Sequence, residues 1–242
     1  GGEPVLPKWW RTIDRWALSA VLLLFSIGIV LGLAASVPLA EKNGLAPFHY
    51  VQRQAMFGGL ALGVMFVVSM MGPQLVRRLA VLGFLAALIA LLGLPLFGTD
   101  FGKGAVRWYS LGFASFQPSE FLKPGFIVVA AWMMAAAQDI GGPPGRLWSF
   151  FLCTAIVLLL AMQPDFGQAA LILFGWGVMW FVGGAPMVLI LGLAGLVIAG
   201  GFTAYNSSEH FARRIDGFLS PDFDPRTQLG YATNAIQEGG FF

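Results

Sequence analysis

Seven apolar runs, each close to the length of a membrane span, constrain this chain more than any other feature of its sequence. They cover approximately residues 16–38, 54–73, 78–97, 120–137, 147–163, 167–184 and 186–206. A helix needs about 20 apolar residues to cross a hydrocarbon core about 30 Å thick. Only 11% of the 242 residues are charged, which is too few to cover a water-soluble globule. The sequence therefore predicts an all-α polytopic membrane protein with about seven transmembrane helices.

These spans divide the chain into three parts. Residues 1–15 form an N-terminal segment, residues 16–206 form a transmembrane helical domain, and residues 207–242 form a polar segment after the last span. The motif QPDFG (163–167) interrupts a long apolar stretch, and Pro164 within it favours a tight hairpin between two spans.

The distribution of basic residues predicts how the chain is oriented. Lys8, Arg11 and Arg15 precede the first run, whereas only Lys42 follows it closely. The positive-inside rule therefore predicts a cytoplasmic N-terminus, and seven spans then place residues 207–242 outside. Eight Lys and Arg residues fall on the outer side, among them Lys103, Arg107, Lys123, Arg213, Arg214 and Arg226. Because this excess runs against the usual bias, it predicts an anionic ligand at the outer leaflet.

The composition excludes one other class of ligand. Net charge is only +2, and the basic residues occur singly or in pairs instead of in runs. This pattern gives no basic surface of the kind that binds nucleic acid, so no nucleic-acid partner is expected.

Aromatic residues surround Arg107 in the segment between the third and fourth spans. Trp108, Tyr109 and Phe116 lie close to it in a glycine-containing stretch from residue 98 to residue 120. Such a segment is typical of the membrane interface. Two interpretations stay open: an ordinary aromatic belt with an arginine that reaches the headgroups, or a platform on which Arg107 meets a lipid phosphate.

Two opposite charges open the fourth span, in the motif QPSEFLKP (117–124). Pro118 suits the first turn of a helix, and Ser119 or the residues just before it are candidates to cap its free N–H groups. Glu120 near the N-terminus is favoured by the helix dipole, but Lys123 lies one turn deeper and needs another reason. At positions i and i+3 the two charges share a face, which predicts an ion pair. The pair is either purely structural or part of a substrate groove.

The polar segment after the last span carries the densest group of charges. Arg213 and Arg214 are candidates for clamping a phosphate. Asp222 and Asp224, in SPDFDP, are candidates for a general base or a metal ligand, although Asp before Pro also simply forms turns. Composition does not distinguish between the two carboxylates.

Three motifs in this order resemble those of one known family. They are GAVRWYSLGFASFQPSEFLKP (104–124), QPDFGQAAL (163–171) and ARRIDGFLSPDFDP (212–225). Together they resemble the SEDS family of polytopic membrane proteins, which polymerise peptidoglycan glycan strands, and they are more similar to its FtsW branch than to its RodA branch. Because complete members have ten spans, the resemblance also implies that this chain is a fragment, ending within a large outer loop and inactive by itself.

The resemblance implies a reaction and roles for the candidate residues. Members transfer sugar from lipid II, a disaccharide-pentapeptide on undecaprenyl pyrophosphate, with inversion at the sugar carbon. An Asp before Pro in the outer loop is essential in the family, which matches Asp224, with Asp222 as the alternative. Arg107, Lys123, Arg213 and Arg214 are then expected to contact the headgroup or the pyrophosphate, and the role expected of Glu120 is to orient Lys123.

Partners and location follow from the same resemblance. It implies a class B penicillin-binding protein transpeptidase and other proteins of the division machinery as partners, besides lipid II and membrane lipid. A divalent cation, Mg or Mn, is implied by the family alone, because no spacing in this sequence is typical of a metal site. The expected location is the bacterial cytoplasmic membrane, with the site facing the outer leaflet. A lipid II flippase is the main alternative, and a noncatalytic scaffold is less compatible with clustered Asp and Arg residues.

Overall fold

The computed structural model describes residues 5–100, 106–112 and 114–219, together with residues 230, 233, 234 and 237. Its helices are α1 Val5–Thr12, α2 Arg15–Lys42, α3 His49–Ser69, α4 Pro73–Phe97, α5 Pro118–Ala136, α6 Gly145–Met162, α7 Phe166–Val182, α8 Met187–Ser207 and α9 Glu209–Leu219. A short antiparallel hairpin, β1 Tyr109–Ser110 and β2 Ser115–Phe116, precedes α5. The prediction of an all-α polytopic membrane protein is confirmed.

Helices α2 to α8 coincide with the seven predicted spans. Six of them are long and apolar enough to cross a membrane, and α7 is a shorter apolar helix of 17 residues. The bounds differ most at α3 and α4, which begin at His49 instead of residue 54 and at Pro73 instead of residue 78. Polar residues before an apolar run continue the same helix, and proline fits its first turn.

The chain divides into two compact units, residues 1–78 and 79–242. In the first unit, α2 and α3 form an antiparallel pair joined by a polar contact. Gln54 of α3 donates a hydrogen bond from Nε2 to the carbonyl oxygen of Gly28 in α2, at 3.2 Å. A Cβ added at Gly32 would lie 2.5 Å from the Gln54 side chain, and one at Gly58 would lie 2.2 Å from the Phe25 ring. Small residues therefore let these helices approach closely, as is common between membrane helices.

The core of the second unit lies between α4, α5, α6 and α7. Its buried residues recur at helical spacing on the facing sides: Phe84, Ala87, Leu91 and Leu94 of α4, Leu122, Phe126, Val129, Ala130 and Met134 of α5, Cys153, Ile156 and Leu160 of α6, and Ala169, Ile172 and Trp176 of α7. Gly125 lets α5 approach α4, since an added Cβ would lie 2.9 Å from Cβ of Phe84. The core therefore fixes the relative positions of α5 and α7, which carry the polar residues described below.

Two helices were not anticipated from the sequence. Both α1 and α9 are short and amphipathic, so neither contains an apolar run long enough to predict a span. In α9, Phe211 and Ile215 are one turn apart and give the helix an apolar side. The polar segment after the last span therefore begins as a helix.

Candidate functional site

The N-terminus of α5 brings polar side chains to one end of the second unit. Pro118 occupies the first turn, as predicted, but Ser119 does not cap the helix: no side chain caps this end, and the cap position is held by Gln117. Ser119 is buried, and its hydroxyl instead lies 3.5 Å from a carboxylate oxygen of Asp165. The prediction that Ser119 or a residue just before it caps the helix was wrong, and the Ser119 hydroxyl faces Asp165, the residue before α7.

The predicted ion pair between Glu120 and Lys123 is confirmed. Lys123 Nζ lies 2.6 Å from Glu120 Oε2, with 23% of the Lys123 side chain and 47% of the Glu120 side chain exposed. The other carboxylate oxygen of Glu120 accepts a short hydrogen bond from Nε2 of Gln168 in α7. Glu120 therefore holds Lys123 and is itself held by a different helix.

Asp165 is the most deeply buried carboxylate among the residues that the structure describes. One oxygen lies 3.5 Å from Nη1 of Arg107, and only 9% of the Asp165 side chain and 17% of the Arg107 side chain are exposed. Its second oxygen accepts a hydrogen bond from Nε2 of Gln117 at 3.2 Å, near the Ser119 hydroxyl. A carboxylate at this depth is stable only when it is paired and hydrogen-bonded, and these contacts supply both.

Sequence reasoning treated Asp165 only as part of a turn. The available signal was an ionisable residue between two apolar spans, which calls for a partner whenever it lies inside the protein. Arg107 as that partner was not apparent, because it comes from a different loop. The structure thereby adds Asp165 to the candidate site residues and shows that Arg107 contacts a carboxylate of the protein itself.

The beginning of α7 anchors both basic side chains. Asp165 precedes the helix without capping it and contacts Arg107, and Gln168 in the first turn holds Glu120, which pairs with Lys123. We call these five residues the charged cluster. Its two cations and two carboxylates balance formally. Because Arg107 has five N–H donors and Lys123 has three, their contacts within the described residues leave both cations with donors for an additional anionic ligand.

The hairpin before α5 holds the backbone around Arg107. Thr99 and Trp108 form an isolated antiparallel bridge, and Tyr109 donates a hydrogen bond from its hydroxyl to the carbonyl of Ala90 in α4 at 2.7 Å. Burial raises the pKa of Tyr109, so its hydroxyl stays protonated and keeps donating. Arg107 therefore extends from a backbone that is tied to the core.

Helix α9 lies beside the same end of α7. The ring of Phe211 contacts the ring of Phe166, the first residue of α7, with centroids 4.8 Å apart. Asp216 accepts a hydrogen bond from the hydroxyl of Tyr205 in α8 at 2.6 Å. Arg213 pairs with Glu209 within α9 at 2.9 Å, and both side chains are largely exposed. Arg213 is thus carried near the charged cluster on a surface helix and does not join its ion pairs.

Three predicted residues cannot be placed in this geometry. Arg214 belongs to α9, but its side chain lies outside the described part of the structure, and Asp222 and Asp224 lie outside the described residues altogether. Within the described residues, no three His, Cys, Asp or Glu side chains are close enough to hold a metal ion. Asp165 and Glu120 are each engaged by a cation, so the charged cluster alone does not fit a divalent metal.

An apolar groove of about 440 Å³ runs along the second unit between α6, α7, α8 and α9. Among the described residues, its lining is almost entirely apolar or small, and Thr154 is the one polar side chain there. Phe166 and Phe211 belong to this lining, and Phe166 directly follows Asp165. A chemically apolar channel therefore reaches the same end of α7 as the charged cluster.

Comparison with known proteins assigns the family. Residues 15–242 match the family of cell cycle proteins that includes FtsW, RodA and SpoVE. The chain belongs to this family. The match leaves only the first 14 residues outside, and it includes all the candidate residues discussed above.

Curated relatives include two that are named probable peptidoglycan glycosyltransferase FtsW. The protein from Caulobacter vibrioides is 38% identical over 238 residues, which cover 98% of this chain and 61% of the relative. The protein from Allochromatium vinosum is 34% identical over 249 residues, covering 98% of this chain and 62% of the relative. The predicted resemblance to FtsW is confirmed, and the chain spans about three-fifths of the length of these relatives.

Solved structures share the fold. RodA from Thermus thermophilus is 30% identical, with a TM-score of 0.61 over 78% of this chain and 60% of that chain. A chain from a study of how a peptidoglycan synthase complex coordinates polymerization and crosslinking is 28% identical, with a TM-score of 0.69 over 95% of this chain and 67% of its own.

Proposed function

We propose that this chain forms part of a peptidoglycan glycosyltransferase that polymerises lipid II during cell division. The observation that carries the proposal is the charged cluster at the beginning of α7, beside an apolar groove. A ligand suited to both features has an anionic headgroup and a long apolar chain. Undecaprenyl pyrophosphate bearing a sugar has this character, and the FtsW relatives carry the corresponding activity in their names.

Within this proposal, the cations of the cluster bind the pyrophosphate. Arg107 is presented by the hairpin and held by Asp165, and Lys123 is held by Glu120. Positive charge fixed in a site of low water content stabilises negative charge that develops on a leaving group. Arg213 and Arg214 on α9 are proposed to add further contacts to the same headgroup.

The reaction requires a base as well as these cations. Asp224 is proposed to take the proton of the C4 hydroxyl of one sugar. The oxygen of that hydroxyl then forms a bond to C1 of the other sugar. The bond from C1 to the pyrophosphate oxygen breaks, its electron pair leaves with undecaprenyl pyrophosphate, and C1 is inverted. A base in this position contributes typically about 10²–10⁴-fold in rate. Asp222 is the alternative base, and no step is derived through a divalent cation, which remains a prediction.

We also propose where this protein lies and which proteins it binds. With the N-terminus in the cytoplasm, α5 and α7 begin and α8 ends at the outer face of a bacterial cytoplasmic membrane. The charged cluster then faces the outer leaflet. A class B penicillin-binding protein transpeptidase and other division proteins are the proposed partners, supported by the resemblance to FtsW and by the similar chain from a peptidoglycan synthase complex.

Lipid II polymerisation in detergent tests the function. The protein would contain this chain together with the further length of its relatives, and a cognate transpeptidase would be present. Asp224→Asn is expected to lower the polymerisation rate at least about 100-fold. Asp216→Asn is the matched control, because this carboxylate is exposed and bonded to Tyr205.

Other outcomes would change the assignment in defined ways. Full activity of Asp224→Asn would contradict the assigned base and make Asp222→Asn the next variant. If the wild type made no glycan product but moved lipid II across vesicle membranes, the polymerase proposal would be wrong and the flippase alternative would be supported. If this chain alone polymerised lipid II, the prediction that it is inactive by itself would be wrong.

A further inference from the structure

Helix α1 lies outside the family match, which begins at residue 15, and has a strongly two-sided sequence. At 100° per residue, the apolar side chains of Leu6, Trp9 and Trp10 share one face. Lys8 and Arg11 lie on the opposite face, and the helix contains no acidic residue. Its eight residues are far too few to span a bilayer.

One tryptophan holds α1 at a defined level of the membrane. Trp9 donates a hydrogen bond from Nε1 to Oγ of Ser69 at 2.8 Å, and its ring packs edge-on against Phe66. Ser69 is the last residue of α3, and α2 begins at Arg15, shortly after α1. Helix α1 therefore lies where one span ends and another begins, which is the level of the lipid headgroups.

Three other apolar side chains in or beside α1 are exposed. Leu6 is 63% exposed and Trp10 is 50% exposed, and Trp16 at the start of α2 is 88% exposed. The guanidinium of Arg15 lies over the Trp10 ring, 5.3 Å from its centroid. Exposed leucine and tryptophan beside basic side chains are the pattern of a helix that lies in the membrane interface, with aromatic rings at headgroup level.

We propose that α1 is an interfacial helix that lies on the membrane surface and binds anionic lipid headgroups. Leu6 and Trp10 insert at the boundary with the acyl chains, and the basic face that carries Lys8 meets the phosphates. The charge of the helix selects this occupant, since each basic side chain near an anionic membrane surface favours binding and no carboxylate within α1 opposes it. The contact anchors the entry of the first span and is independent of the charged cluster.

Depth measurements on spin labels test this inference in the whole chain. In a Cys153→Ala background, a nitroxide is attached at Leu6→Cys or, on the polar face, at Thr12→Cys. Collision rates with oxygen, which concentrates in lipid, and with a water-soluble nickel complex are measured in nanodiscs of phosphatidylcholine with and without phosphatidylglycerol. The label at residue 6 is expected to favour oxygen and the label at residue 12 to favour nickel, and phosphatidylglycerol is expected to deepen residue 6.

A charge substitution isolates the contribution of the headgroups. In discs with phosphatidylglycerol, α1 is either bound to the membrane surface or detached from it. Lys8→Gln is expected to lower the ratio of bound to detached α1, measured with the label at residue 6, about fivefold. Lys42→Gln, at the far end of α2, is the matched control and is expected to change nothing. Equal exposure of both labels to nickel in every disc would overturn the inference and leave the apolar face to a protein partner. A buried residue 6 without dependence on phosphatidylglycerol or on Lys8 would overturn the role of anionic headgroups.

Discussion

Two arginine–carboxylate pairs in the second unit differ in how much of their side chains is exposed to solvent. In α9, Arg213 and Glu209 are 2.9 Å apart, with 73% and 83% of their side chains exposed. Arg107 and Asp165 are 3.5 Å apart, with only 17% and 9% exposed. The shorter distance thus belongs to the pair that water screens most. Burial, and not the separation of the atoms, determines which pair matters for the structure.

The two pairs also join different parts of the chain. The exposed pair links adjacent turns of a single helix, whereas the buried pair links the hairpin before α5 to the beginning of α7. Losing the first leaves two solvated charges, but losing one member of the second leaves a charge without its partner in a site with little water. The buried pair therefore controls where Arg107 stands, and with it the donors offered to an anionic ligand.

Removing the buried carboxylate of Asp165 should cause the largest loss of stability. Asp165→Asn leaves Arg107 without its counter-charge and is expected to lower the free energy of unfolding by about 3–5 kcal/mol. Unfolding by SDS titration in mixed micelles measures this change. If the loss of stability were smaller than that caused by breaking the exposed pair of α9, Arg107 would be well solvated. The comparison between the two pairs would then be wrong.

An intermediate effect is expected at the half-exposed pair of α5. Glu120→Gln removes the carboxylate that holds Lys123 but keeps an amide that can still face Gln168. Because water already reaches nearly half of the Glu120 side chain, the expected loss is about 1 kcal/mol in the same titration. A loss as large as that of Asp165→Asn would mean that exposure does not rank these pairs.

The smallest effect should come from α9. Glu209→Gln breaks the pair with Arg213 and is expected to change the free energy of unfolding by less than about 0.5 kcal/mol. Because any contribution of this pair is screened, raising the salt concentration should abolish the remaining difference from wild type. A large, salt-resistant loss would indicate that α9 is buried by a contact not present within the described residues.

The spans could be predicted from the sequence because the bilayer imposes one length and one polarity on them. Apolar runs of about 20 residues located α2 to α8, and errors arose where polar residues extended a helix before its apolar part, as at His49. Helices α1 and α9 were missed for a different reason, because each is short and only one side of it is apolar. Their evidence is periodicity, which a search for continuous apolar runs does not detect.

The candidate site was predictable only where its contacts are local. Glu120 and Lys123 are one helical turn apart, so the spacing alone predicts their meeting. Asp165 meets Arg107 through the packing of α5, α6 and α7, and no spacing in the sequence encodes that contact. The sequence also gave no sign that Gln168 would hold Glu120.

Binding of lipid II to Arg107→Gln, in a protein that contains this chain and the further length of its relatives, tests most directly whether the charged cluster holds an anionic headgroup. The matched control is Arg146→Gln, because Arg146 lies in the first turn of α6, at the opposite membrane end, and donates to the carbonyl of Gly183. Loss of a charge-assisted hydrogen bond to phosphate predicts an affinity about tenfold or more below wild type for Arg107→Gln, and wild-type affinity for the control. Equal affinities for wild type and both variants would contradict the account.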